Sequence, residues 1–161
     1  MRGLAWVLGV STLLSVGTLQ AQSAPAGLEG AWRVVEVEVT GPSARTVEAP
    51  QPGLLLFTGR HYSYTFVTSD GPRPPLPPGP ATPEDLATIW NPFTANAGAF
   101  EVSGSVMFRR PLVAKSPDAM AQGTFNQYSF RLSADTLWMT TTATETGPVR
   151  NPSTVRYVRV R

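Results

Sequence analysis

From Leu28 onward the chain is a succession of short runs in which β-branched and aromatic residues alternate with polar ones, each cut by Gly, Pro, Asn or Asp. No long stretch carries the 3.6-residue periodicity of an amphipathic helix, so the chain reads as strands. In residues 31–40, Val35, Val37 and Val39 point one way and Glu36 and Glu38 the other, giving one dry and one wet face. Residues 53–58 and 61–68 flank Gly59-Arg60, a spacing that makes a tight hairpin; Tyr62, Tyr64 and Phe66 share one face of the second arm. Residues 98–103 and 105–114 pair about Gly104, residues 124–132 and 136–143 pair about Ser133-Ala134-Asp135, and residues 154–160 close the chain. That is eight strands of six to ten residues each.

Two inserts interrupt them. The segment 69–81 is a semi-rigid loop, because six prolines stand between Gly71 and Pro80 and proline cannot donate to a sheet ladder. Thr82-Pro83-Glu84-Asp85 then starts a helix over residues 83–90, with Thr82 as N-cap and acids in the first turn, and Asn91-Pro92 stops it. Ser116-Pro117-Asp118 opens one further helical turn. The expected fold is all-β: a single antiparallel eight-stranded barrel over residues 28–161, with one or two short helical inserts, since closure removes the exposed edges an open sheet must protect.

The first residues read as an address. Arg2 followed by Leu4, Ala5, Trp6, Val7, Leu8, Val10, Leu13, Leu14 and Val16 has the form of a signal peptide over residues 1–23, with cleavage between Ala21 and Ala26. The apolar stretch is too short and interrupted for a membrane span. A cleaved signal implies a secreted or periplasmic protein, and with no Cys anywhere there is no lipid-attachment site and no disulfide.

Composition excludes several chemistries. No Cys and a single His leave no thiolate cluster, cysteine nucleophile or multi-histidine metal site. Thirteen Lys and Arg against eleven Asp and Glu among 161 residues give no basic surface for nucleic acid. His61 lies two residues from Ser63, but side chains two apart on a strand stand nearly 7 Å from each other, so the pair reads as an exposed hairpin end rather than a nucleophile and base. Glu36/Glu38 and Glu84/Asp85 are explained by a solvated strand face and a helix first turn. No metal, cofactor or catalytic residue is expected.

Candidate pocket residues are Tyr62, Tyr64, Phe66, Phe108, Tyr128 and Trp138, which either line a cavity or fill the core, with Trp90 beside Phe93 as an apolar cap at the mouth. Alternation sets Arg110 on the face of Val106, Phe108 and Leu112; if that face is internal, its guanidinium requires a partner such as a ligand carboxylate or phosphate, a tyrosine or an acid. Arg131, on the face of Phe125, Gln127 and Ser129, carries the same ambiguity.

Leu28-Glu29-Gly30-Ala31-Trp32-Arg33-Val34-Val35 resembles the opening of lipocalin-like domains, where a Gly-x-Trp begins the first strand. The stretches 53–63, 97–104, 116–130 and 155–159 extend the resemblance in order along the mature chain. The resemblance implies a calyx-shaped barrel that holds a small hydrophobic or amphipathic molecule, without catalysis. It also implies that Arg156 or Arg159 packs over Trp32 to close the barrel floor. The expected function is therefore that of an exported binding protein, monomeric by default. The alternatives are a small barrel enzyme of isomerase or hydrolase type on a similar ligand, and a cell-envelope interaction module using the Pro-rich loop.

Overall fold

A computed structural model describes residues 25–161 of the protein; the signal peptide expected over residues 1–23 lies outside the described residues. Its elements are β1 (Gly30–Val39), a 3-10 turn (Gly41–Ser43), β2 (Arg45–Val47), β3 (Gly53–Thr58), β4 (His61–Val67), α1 (Pro83–Trp90), β5 (Phe93–Ser103) and β6 (Val106–Ala114). They continue with a second 3-10 turn (Pro117–Met120), β7 (Asn126–Ser133), β8 (Thr136–Thr144), β9 (Gly147–Pro148) and β10 (Ser153–Arg159). Eight of the strands, in the order β10-β1-β3-β4-β5-β6-β7-β8, are antiparallel neighbours, and β8 pairs with β10 to close the ring. The short β2 and β9 lie outside it as straps on β1 and β8.

Turn chemistry decides which end is which. The β3–β4, β5–β6 and β7–β8 connections are two residues each, with Gly59 at φ +55°, Gly104 at +58° and Ala134 at +49°, the left-handed backbone that such turns require. All three lie at the end where β1 starts and β10 stops. The long connections, including the Pro-rich loop, α1 and the second 3-10 turn, gather at the opposite end. The barrel thus has a tight floor and a mouth rimmed by loops.

The floor is built on the Gly-x-Trp residues. Trp32 is fully buried, and its Nε1 donates to the Leu28 carbonyl at 2.8 Å. Arg159 lies over the indole, 4.1 Å from ring centre to guanidinium carbon, and donates to the carbonyls of Gly27 and of Glu29, the latter at 2.7 Å. A Cβ on Gly30 would stand 2.7 Å from Arg159 Nη1, and Gly30 has φ +125°, so glycine here leaves the guanidinium its path to the tryptophan. Of the two expected partners of Trp32, Arg159 is the one in place. Arg156 is on the outer face, its guanidinium forked onto Glu36 at 3.2 and 2.9 Å, because alternation along β10 turns Val155, Tyr157 and Arg159 inward.

Asp135 ties the β7–β8 turn to the same end, 3.3 Å from Arg159 Nε and also paired with Arg161. The hydrogen bond from Arg161, with the charges of Arg161 and Arg159, holds its carboxyl below the ordinary value despite some desolvation. A carboxyl whose folded pKa is depressed contributes stability at pH above its unfolded pKa of about 4, and loses it as pH falls through the folded value. Chemical denaturation of Asp135→Asn against wild type should therefore show a gap that is constant above about pH 5 and closes toward pH 2. A gap independent of pH would assign the aspartate no electrostatic role.

Three bulges break the simple alternation. One lies between Val34 and Glu36: Trp32 and Val34 face inward before it and Val37 and Val39 after it, so Val35 is the inserted residue and not a member of one apolar face with Val37. The others fall at Ala97/Gly98 in the β5–β6 pair and at Gln127/Tyr128 in the β7–β8 pair. Outside the barrel, α1 begins as expected: Thr82 accepts from the Asp85 N–H while Asp85 accepts from the Thr82 N–H, a capping box. β5 starts at Phe93, directly after α1, so Phe93 belongs to a strand rather than to a loop.

Candidate functional site

Inward side chains change character along the barrel. At the floor end Trp32, Leu55, Phe57, Tyr62, Phe100, Met107, Leu137, Met139 and Tyr157 are buried and packed on one another. Toward the mouth the inward residues Val37, Tyr64, Phe66, Tyr128 and Val155 pack against that core on one side but keep part of their surface exposed. The interior is a solid plug below and a partly exposed, mainly aromatic layer above, where Val37, Val39 and Phe66 border a mouth-end cavity of about 60 Å3.

Arg109, on β6, sits at the boundary. It is 4% exposed and the one buried charged side chain among the described residues. Its guanidinium carbon lies 5.0 Å from the ring centre of Tyr62, 5.4 Å from Tyr64 and 4.0 Å from Tyr128. Tyr157 completes the surround electrostatically, so all four tyrosines of the chain converge on this cation. No carboxylate does: the ion pairs among the described residues engage Arg45, Arg110, Arg156, Arg159 and Arg161, and Nη1 of Arg109 has no hydrogen-bond partner. Aromatic faces stabilise a desolvated guanidinium by about 2 kcal/mol each, and the Tyr128 phenol lies beside it, but Nη1 is left without a partner.

At Tyr62, Tyr64 and Tyr157 burial disfavours tyrosinate more strongly than Arg109 favours it. The Tyr62 phenol is pushed up to about 12, and those of Tyr64 and Tyr157 rise further, desolvation being the largest cause in each case. A phenol with a raised folded pKa contributes stability that is complete below the unfolded pKa of about 10 and is lost as pH climbs. Ultraviolet titration should accordingly find these three phenols protonated through about pH 11 while the fold persists, with their tyrosinate absorbance rising only as the protein unfolds. Smooth ionisation near pH 10 in folded protein would show the cluster to be wet.

Four of the expected pocket residues, Tyr62, Tyr64, Phe66 and Tyr128, do share the interior. The inward guanidinium is Arg109, not Arg110. Met107 and Arg109 face in, while Arg110 is on the outer wall, 3.3 Å from Glu101. The two-residue turn sets Ser103 opposite Val106, hence Phe108 opposite outward Glu101 and Arg109 opposite inward Phe100. A one-residue slip in the hairpin exchanges the faces. Phe108 is corrected with it, lying outside against Phe125 at 5.8 Å. Trp138 is outside too: Leu137 and Met139 are its buried neighbours, and Arg131 stacks on its outer surface at 3.5 Å. Trp90, at the end of α1, is half-exposed and does not cap the mouth; with Ser63, Thr65, Ala95, Ala97 and Val113 it lines a groove of about 360 Å3 on the outer wall of β4–β6. Lys115 fastens it there by donating to the Trp90 and Asn91 carbonyls. His61 is exposed at the start of β4, and no cluster of metal-ligating side chains exists among the described residues. Sequence reasoning missed Arg109 itself, and the signal that finds it is the placement of Glu101 on the wet side of the hairpin.

No helix among the described residues is long and apolar enough to cross a membrane. A search of curated proteins finds no match to this chain. A family model described as a lipocalin-like domain matches residues 29–159, which spans every strand of the closed ring, the Gly-x-Trp floor and the Arg159 that covers it. The chain belongs to the lipocalin-like domain family.

Proposed function

We propose that the protein is an exported carrier that holds a small hydrophobic or amphipathic molecule in the mouth half of its barrel. The observation that carries this reading is the division of the interior: the inward residues are buried at the floor but keep a minor part of their surface exposed at Val37, Tyr64, Phe66 and Tyr128, where an eight-stranded barrel is just wide enough for one small ligand. Aromatic rings that stay partly wet inside a folded barrel offer apolar area for a guest to cover. Export rests on the amino-terminal residues, and mass measurement of protein secreted by its host should show loss of the first 21 to 25 residues.

A neutral solvatochromic dye such as Nile red tests the lumen. It should bind saturably, one per chain, with blue-shifted emission. Val155→Trp, which fills an inward position between Val37 and Met139 and is no part of the outer groove, should abolish binding, whereas Ala95→Trp in the outer groove should leave it intact. The reverse pattern would move the site to the outer wall, and no saturable binding would end the carrier reading.

A further inference from the structure

The one buried cation of the barrel interior has no counter-charge among the described residues, and this restricts what the interior can take. We infer that the ligand is an organic monoanion whose carboxylate is received by Arg109, a deepening that rests on the lumen being a binding site. Tyr62, Tyr64, Tyr128 and Tyr157 present ring faces and phenol groups to the guanidinium, and no ion pair among the described residues reaches it. Nη1 is enclosed and unpartnered in a residue that is 4% exposed. A buried cation left unpaired is costly, and an apolar side chain of similar volume would fill the same space at lower cost. The guanidinium also presents a planar fork of N–H donors that matches the two oxygens of a carboxylate.

The placement gives the guest a polarity. Below Arg109 the interior is closed by Trp32, Leu55, Met107 and Leu137, all with no exposed surface. Between Arg109 and the mouth the inward side chains include the partly exposed Tyr64 and Phe66, the latter bordering the mouth-end cavity, so a bound carboxylate would lie deepest with its apolar body extending outward along those rings. Tyr128, 4.0 Å over the guanidinium and itself part exposed, lies on the path to it. A single buried cation sets the headgroup charge at one. A phosphate or sulfate monoester brings greater charge or a tetrahedral head and should bind less well than the planar carboxylate.

Displacement of Nile red by matched ligands tests this. Dodecanoate, dodecan-1-ol and methyl dodecanoate form one set, 2-naphthoate and 2-naphthol a second, and dodecyl sulfate an anion of different shape. Wild type should bind each carboxylate about 10- to 100-fold more tightly than its neutral partner, the range expected for a hydrogen bond to a charged group. In Arg109→Met that preference should vanish while binding of the dye and the neutral ligands persists, and the ligand-free variant should melt no lower than wild type. Arg109→Lys should recover only part of the preference, because an ammonium keeps the charge but not the fork. Equal binding of acids and neutral partners by wild type, or an acid preference that survives in Arg109→Met, would overturn the carboxylate assignment while leaving the carrier reading standing. Stronger binding of dodecyl sulfate than of dodecanoate would overturn the shape argument. Failure of the dye and every ligand to bind would remove both readings.

Discussion

Replacing Trp32 by alanine should cost about 4 kcal/mol of folding stability, the range for deleting a fully buried large aromatic. Three contributions act together. The indole is completely buried among the floor residues, its Nε1 satisfies the Leu28 carbonyl at 2.8 Å, and its face carries the Arg159 guanidinium. For a domain of this size such a loss corresponds to a fall in Tm of roughly 12–20 °C. Trp32→Phe keeps most of the ring and loses the N–H, so about 1–2 kcal/mol is expected. Trp138→Ala is the matched control, because that tryptophan lies on the outer wall beneath Arg131 and its loss opens no core cavity; a cost of about 1 kcal/mol or less is expected. Equal costs at positions 32 and 138, read by urea denaturation, would contradict the assignment of inside and outside.

Gly98→Ala should be nearly as damaging, although it adds a single methyl group. A Cβ at this position would stand 2.8 Å from the Pro111 Cα and 2.9 Å from the Arg110 carbonyl carbon, with the carbonyl oxygen closer still. Those atoms are backbone and belong to the bulge that turns β6 relative to β5, so they yield only if the β5–β6 pairing shifts. About 3 kcal/mol is expected, at the upper end of the cost of overpacking a core. The same substitution at Gly71, in the Pro-rich loop, meets nothing within 4 Å and should fall within about 0.5 kcal/mol of wild type. The bulge also fixes which β6 side chains face inward. Gly98→Ala should therefore weaken ligand binding in any fraction that remains folded, read by the same dye titration.

The eight barrel strands and α1 are legible in the sequence because their signals are local. Gly59-Arg60 and Ala134-Asp135 mark turns, Thr82 and Asp85 mark a helix start, and proline excludes the 71–80 segment from any ladder. The direction in which a side chain points is less local. Along β6 the outer set Val106, Phe108 and Leu112 is more apolar than the inner set Met107, Arg109 and Pro111, so hydrophobicity selects the wrong face. The outer wall is apolar there because Phe108 packs on Phe125. Only the register of the Gly104-Ser105 turn, which sets Glu101 opposite Phe108, recovers the right one. Trp138 misleads for the same reason: a large aromatic is read as core, while the residues that do face inward on β8 are Leu137 and Met139. The convergence of all four tyrosines on Arg109 joins strands β4, β6, β7 and β10. Their side chains meet only once the ring closes, and no window of sequence displays that.

The resemblance points to the floor residues, and the geometry explains why each is there. Gly30 has no side chain because Arg159 passes over it, Trp32 is covered because Arg159 is anchored on two carbonyls and on Asp135, and Arg156 is spent on Glu36 outside. A chain without cysteine closes one end of its barrel in this way.

Native mass spectrometry of the protein purified gently from its own host measures the central claim most directly. A population is expected whose mass exceeds that of the processed chain by one small organic molecule, lost on denaturation and recovered in negative-ion mode as a carboxylate-bearing species with an apolar body. Protein that leaves its host with the bare chain mass, and that stays empty when offered the dye and the carboxylates, would contradict it.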